Sequence, residues 1–328
     1  MNSIHEWLNV IDRYYLSDFI ISGGSAFKLV LTQGDDEPAC ALEALRDIAL
    51  QRGYGYVGIS AAETRIDRID QLFFAITRQM DWDSLTAEDA ITYLRTHNYN
   101  LPAGVSLSDT SVIAEANGCT QDDFVKELRR VTAQEIIRDR RMCKDFRTAI
   151  AQLRKSQFFP RSVTPTDTET LIGWLRGDKV SMNALRGLGI YSKIGRNNAR
   201  DMLRGLTHWM AKSFIKGIVI GIDLSALLCD KIPAGQGDTP SLRYSRSALL
   251  DTYEVLREFI DETDEIDHCL ICAAAPVELE TDAKKSIFSY YALQNRLVNE
   301  VHDRDRQNLL AAMVRVGDDR ELVEVQHE

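Results

Sequence analysis

With 328 residues, 45% hydrophobic and 27% charged, the chain has the make-up of a globular protein of one large domain or two ordinary ones; its Gly and Pro content excludes collagen-like and low-complexity classes. The longest apolar stretch, 215–228, is broken by Lys216 and Asp223 and falls short of the ~18 consecutive apolar residues of a membrane span. A net charge of −10 counts against a general nucleic-acid-binding surface, so tight direct binding to nucleic acid is not expected, although a local basic patch stays open.

Residues 2–16 place Ile4, Trp7, Leu8, Ile11, Tyr14 and Tyr15 at helical spacing. No basic segment leads into an apolar run there, so no secretion signal is expected, and six unpatterned cysteines suit a reducing cytoplasm. Phe27-Lys-Leu-Val-Leu31 predicts a strand, 32–38 a loop, 39–51 an amphipathic helix stopped near Gly53, and 55–60 a second strand. Strand, loop, helix and strand within about 35 residues make a βαβ unit. From 64 to 160 the pattern is helical, with apolar residues at helical spacing over 65–80, 86–97 and 121–156. The most basic run, Arg138, Arg140, Arg141 and Lys144, falls in the last of these. It reads as a solvated helix face or as a patch for phosphate or an acidic partner.

Residues 160–165 predict a linker, and helices follow at 168–175 and 197–213. The run 217–223 is the strongest strand, apolar enough for the buried centre of a parallel sheet. A loop is expected at 231–240, a helix at 245–262, a strand at 268–274 and a helix at 289–301. Cys269 and Cys272 have the spacing of a metal knuckle, but no second pair accompanies them and their run is apolar, so they read as buried thiols. Six scattered histidines have no metal-binding spacing, and no metal site is expected. The whole pattern is α/β: a mostly parallel central sheet flanked by helices, with a large helical insertion. Residues 1–80 give the first part of the core, 81–165 the insertion and 166–328 the second part.

Two positions in such a core can carry phosphate chemistry. A working P-loop, G-x-x-x-x-G-K-[ST] between the first strand and its helix, wraps phosphates in backbone N–H groups, neutralises them with Lys and holds Mg²⁺ through a hydroxyl. An Asp at the end of a central apolar strand orients the metal shell, with a Glu after it to polarise water. Here the first position is the loop at 32–39 and the second is Asp223.

Four stretches carry a resemblance to a known family. They are Gly24-Ser-Ala-Phe-Lys-Leu-Val30, the run Glu63 to Gln71, the run Gly187 to Asp223 through Lys193-Ile-Gly-Arg-Asn-Asn-Ala199, and Ala275-Pro-Val-Glu-Leu with Ser289 to Leu297. In this order they resemble the ATP-binding P-loop proteins of BREX phage-defence clusters, the BrxD-like, AAA+-related group. The resemblance implies a P-loop NTPase-like, AAA+-like fold, a role in antiviral defence and partners from a defence gene cluster. It also implies a helical lid after the region of Leu297, for which little chain remains.

This chain departs from the family where phosphate should be held. Thr32 falls at the first loop glycine, Glu37 at the second, Pro38 at the lysine and Ala39 at the Ser/Thr. Asp35, Asp36 and Glu37 bring three carboxylates to a polyanion site, where like charges ~4 Å apart repel by about 1 kcal/mol even in water. Asp223 stands at the Walker B position, as a structural cap or a residual ligand, and Leu224 replaces the catalytic Glu. Arg296 matches a family position that could reach a neighbouring subunit, or makes a helix-surface salt bridge. ATP and Mg²⁺ are not expected to bind well, and no catalytic residue is assigned. The leading expectation is a pseudo-ATPase that assembles with, or regulates, an active ATPase, helicase or nuclease, or that oligomerises with itself. The alternatives are a ligand- or peptide-sensing module in the old pocket and an atypical ATPase using Lys28 and Asp223.

Overall fold

The near-continuous apolar runs become neighbouring strands of one sheet. The computed structural model describes residues 2–33, 37–213, 215–229, 242–298 and 308–317. Its strands are β1 (Asn2–Ser3), β2 (Ser25–Thr32), β3 (Gly55–Ser60), β4 (Ile218–Asp223), β5 (Cys269–Pro276) and β6 (Met313–Gly317). They lie in the order β1-β6-β2-β5-β4-β3, and every neighbouring pair is parallel. β4 and β5 are buried almost throughout, as a central strand covered on both faces must be.

The helices are α1 (Ile4–Val10), α2 (Glu37–Gln51), α3 (Ile69–Arg78), α4 (Trp82–Thr96), α5 (Thr110–Ala116), α6 (Gln121–Thr132), α7 (Lys144–Phe158), α8 (Pro165–Arg176), α9 (Met182–Gly187), α10 (Ala199–Ser213), α11 (Arg246–Asp261), α12 (Glu278–Thr281) and α13 (Tyr291–Leu297). Among the described residues, no helix is long and apolar enough to cross a membrane. Contacts divide the chain into two units, one of Met1–Leu72 with Ile215–Glu328 and one of Phe73–Phe214.

In the α/β unit, Leu42, Leu45 and Ala49 of α2 and Trp7 and Leu8 of α1 pack on Val30, Val219, Leu270, Cys272 and Ala274 of the sheet. A reciprocal capping box starts α1: Ser3 Oγ accepts from the Glu6 N–H, and the Ser3 N–H donates to Glu6. The single helix expected over 2–16 changes pitch. A π-helix runs over Ile11–Phe19, because Ile11, Leu16 and Ile20 bury at a spacing of four to five and leave Tyr14 exposed. Gly221 is needed in β4, since a Cβ there would lie 2.3 Å from the Tyr56 hydroxyl. Cys269 and Cys272 are fully buried in β5, where burial pushes both thiols up to about 12.

In the helical unit, the helix expected over 121–156 is interrupted. α6 passes through a π-turn at Ala133–Ile137 into a turn at 138–143 before α7 begins. Asp139 makes the break: its carboxylate accepts from the Arg141 N–H and pairs with His208 at 2.9 Å, while its carbonyl accepts from Arg147. The unit also takes in α8, α9 and α10, so residues 166–214 cluster with the helices and not with the α/β core assigned to them from sequence. The cause is packing. Asp89 of α4 is buried against Arg154 of α7 at 2.6 and 2.8 Å and accepts from the Trp209 indole of α10 at 3.0 Å. Trp82 and Trp209 stack with centroids 6.1 Å apart.

Candidate functional site

Because the strands are parallel, their carboxyl ends share one edge. The chain leaves β2 towards β3 on one side, and β6 pairs with β2 on the other. Strand order reverses beside β2, and in open α/β sheets ligands bind at such a point, outside the carboxyl ends of the strands. Thr32 ends β2 and Asp223 ends β4, with β5 between them; Thr32 is level with Pro276 and Asp223 with Ala274, so two strand spacings and a two-residue offset put them about 12 Å apart.

Thr32 is fully buried, and its carbonyl accepts from the Val277 N–H at 2.7 Å. Among the described residues its hydroxyl has no hydrogen-bond partner. Asp35 and Asp36 lie outside the described residues. Glu37 and Pro38 open α2, where Pro38 is buried and Ala39 exposed. Proline suits a helix's first turn but removes one of the N–H groups that a bound anion would use.

Asp223 is turned to local work. Its carboxylate accepts from the Ser225 N–H at 2.9 Å and the Ser225 hydroxyl at 2.6 Å, and its carbonyl accepts from Ala61. Leu224 is fully buried, with its N–H on the Ala274 carbonyl. The segment after β3 is held just as firmly. The Tyr244 hydroxyl accepts from the Ile66 N–H and lies within hydrogen-bond distance of the Ala61 and Thr64 carbonyls. Arg65 lies over the Tyr244 ring and grips Asp67 at 2.7 and 2.9 Å.

Lys28 points away from this edge. It stands four residues before Thr32, and its ammonium donates to the Leu310 and Ala311 carbonyls and lies 4.4 Å from the Tyr15 ring centroid. Arg296 pairs with Asp261 within the chain at 3.0 Å, on exposed helix surface. Arg138, Arg140, Arg141 and Lys144 are exposed, but in the turn and first residue of α7 and not on one continuous helix face.

The description BREX system ATP-binding protein BrxC/D is that of a family model matching residues 20–326, nearly the whole chain. The chain belongs to that family. No curated protein and no solved structure matches it. In this BrxC/D-family chain, Thr32 and Asp223 end parallel strands and Leu224 follows Asp223, so the three share one sheet edge; Arg296 lies on α13, and the basic turn precedes α7 in the helical unit.

Sequence reasoning missed two constellations of this BrxC/D member. The first is Asp89, Arg154, Glu135 and Trp209, which line a cavity of about 140 Å³ in the helical unit. The second is the Tyr244 clasp on the segment after β3. Their partners lie 65 residues or more apart along the chain, except Arg154 with Glu135, and nothing local marks either set.

Proposed function

We propose that this BrxC/D-family protein is a pseudo-ATPase that serves as an assembly or regulatory subunit of a prokaryotic anti-phage defence system. Its sheet is read as P-loop NTPase-like and AAA+-like, with the crevice beside β2 as the former nucleotide site. The observation that carries the reading is the state of Asp223 and its neighbour. The carboxylate that would orient a metal shell is engaged by Ser225, and the next position is the buried aliphatic Leu224.

ATP with Mg²⁺ does not fit the residues present. The lysine position is Pro38, buried in α2, and the hydroxyl position is the exposed Ala39. The carboxylates of the loop add repulsion to the missing donors. Replacement by Lys28 is not supported, because its ammonium is committed to two backbone carbonyls about 13 Å of strand away from Thr32. A core retained without its phosphate chemistry is useful as a contact surface, and its partners would be other proteins of the same defence cluster, in the cytoplasm.

The test is turnover and assembly together. Phosphate release from ATP should not exceed the protein-free blank, and Asp223→Ala should leave it unchanged. Co-expression with the products of adjacent genes should give a stable complex on gel filtration. Release above the blank that Asp223→Ala abolishes would restore the atypical-ATPase reading.

A further inference from the structure

The net charge of −10 conceals two opposite signs. Residues 73–214 hold 21 Lys and Arg against 16 Asp and Glu, a net of +5, which leaves −15 on the rest of the chain. The excess is concentrated in two segments, 138–147 and 186–204, which together contain ten cationic residues and three carboxylates.

Folding joins these segments. Asp145 accepts from the Ser192 N–H at 3.0 Å and from its hydroxyl. Cys143 Sγ lies 3.5 Å from Met202 Sδ, and Lys144 Nζ lies 5.5 Å from the Tyr191 ring centroid. All three carboxylates are engaged inside the unit: Asp139 by His208 and Lys212, Asp145 by Ser192, and Asp201 by Arg204. Arg138, Arg140, Arg141, Lys144, Lys193 and Arg196 are exposed. Tyr191 is 61% exposed, an aromatic ring open to solvent beside Lys144.

We propose that this face of the helical unit binds single-stranded nucleic acid, with its arginines on the phosphates and an unpaired base on Tyr191. Eight of the ten cations are Arg, whose planar guanidinium pairs with phosphate through two parallel hydrogen bonds. An acidic protein would meet the same guanidinium groups but would leave the tyrosine ring unused. A duplex would satisfy the cations but keeps its bases stacked inside, so the exposed ring selects the single strand. The expectation of weak binding drawn from the whole-chain charge averages over two units that differ by 20 charges. The proposal is independent of what the sheet edge binds.

Fluorescence anisotropy of the full chain with a labelled oligothymidylate of about 20 nucleotides, long enough for one binding site, tests it. Affinity should fall between about 50 and 200 mM salt, with a log–log slope of about −0.7 per phosphate engaged. Reversing both Arg138 and Arg140 to Glu should weaken binding about tenfold or more and make that slope shallower. Tyr191→Ala should lose about fivefold or more on the single strand and nothing on a duplex of the same length. Melting temperatures check folding, and Gln at positions 138 and 140 replaces Glu if the reversal is unstable. Absence of salt-sensitive binding, an unaltered Arg138/Arg140 variant, or equal effects of Tyr191→Ala on both strands would overturn the proposal. Competition by polyglutamate as strong as by the oligonucleotide would assign the face to an acidic protein instead.

Discussion

Lys28 stands on a central strand with its ammonium withdrawn from water, against two carbonyl oxygens and the Tyr15 ring. Burial lowers its pKa to about 8, against about 10.4 for an unfolded lysine. Between those values the unfolded chain binds more protons at this site, so stability rises with pH from about 8 to about 10.4, by up to about 1.4 kcal/mol per unit. Below about 8 both states are charged and the burial penalty is felt in full. Urea titrations at stepped pH should show that rise in the wild type and a flatter profile for Lys28→Met. Equal profiles would mean that the ammonium is solvated. Asp89 poses the opposite case. It and Arg154 are both buried, so Asp89→Ala leaves an uncompensated guanidinium and should cost about 3–5 kcal/mol by denaturant unfolding. A loss below 1 kcal/mol would show that water or Glu135 takes over. Thr32 and Asp223 were legible as strand ends because each closes an apolar run. Asp89 with Arg154 was not, because the pair forms across 65 residues and both look like ordinary helix-surface charges.

At the scale of elements, β2, β4 and β5 were legible because strands buried on both faces must be apolar almost continuously, and the edge strand β3 because it follows a helix stopped near Gly53. β6 was not expected. Its five residues include Arg315, which reaches back to pair with Glu280, and the strand is recognisable only beside β2. The break at 138–143 was hidden because α6 and α7 share one apolar period on either side, and Asp139 needs His208, from a later helix, to hold the turn. Helix ends marked by glycine are clearer. Gly177 terminates α8 at φ +76°, and a Cβ there would lie 2.6 Å from the Phe74 ring. Gly177→Ala should therefore destabilise by about 1–3 kcal/mol, through left-handed strain and crowding combined. A melting temperature unchanged from wild type would show that Phe74 moves aside freely.

At the scale of the molecule, two units of opposite charge are carried on one chain, an α/β unit at −15 and a helical unit at +5. The sequence pattern gave the helical part as 81–165, and packing through Trp82, Asp89 and Trp209 draws α8 to α10 into it. On the proposed reading the sheet edge is a former nucleotide site, and its residues are committed to the fold: Thr32 and Leu224 are buried, Asp223 caps the turn at Ser225, and Pro38 lies in the first turn of α2. Isothermal titration calorimetry of the full chain with ATP and Mg²⁺ measures whether that commitment has removed the ligand. A pseudo-ATPase should give no saturable heat; saturable binding at micromolar ATP that Asp223→Ala weakens would show a working nucleotide site instead.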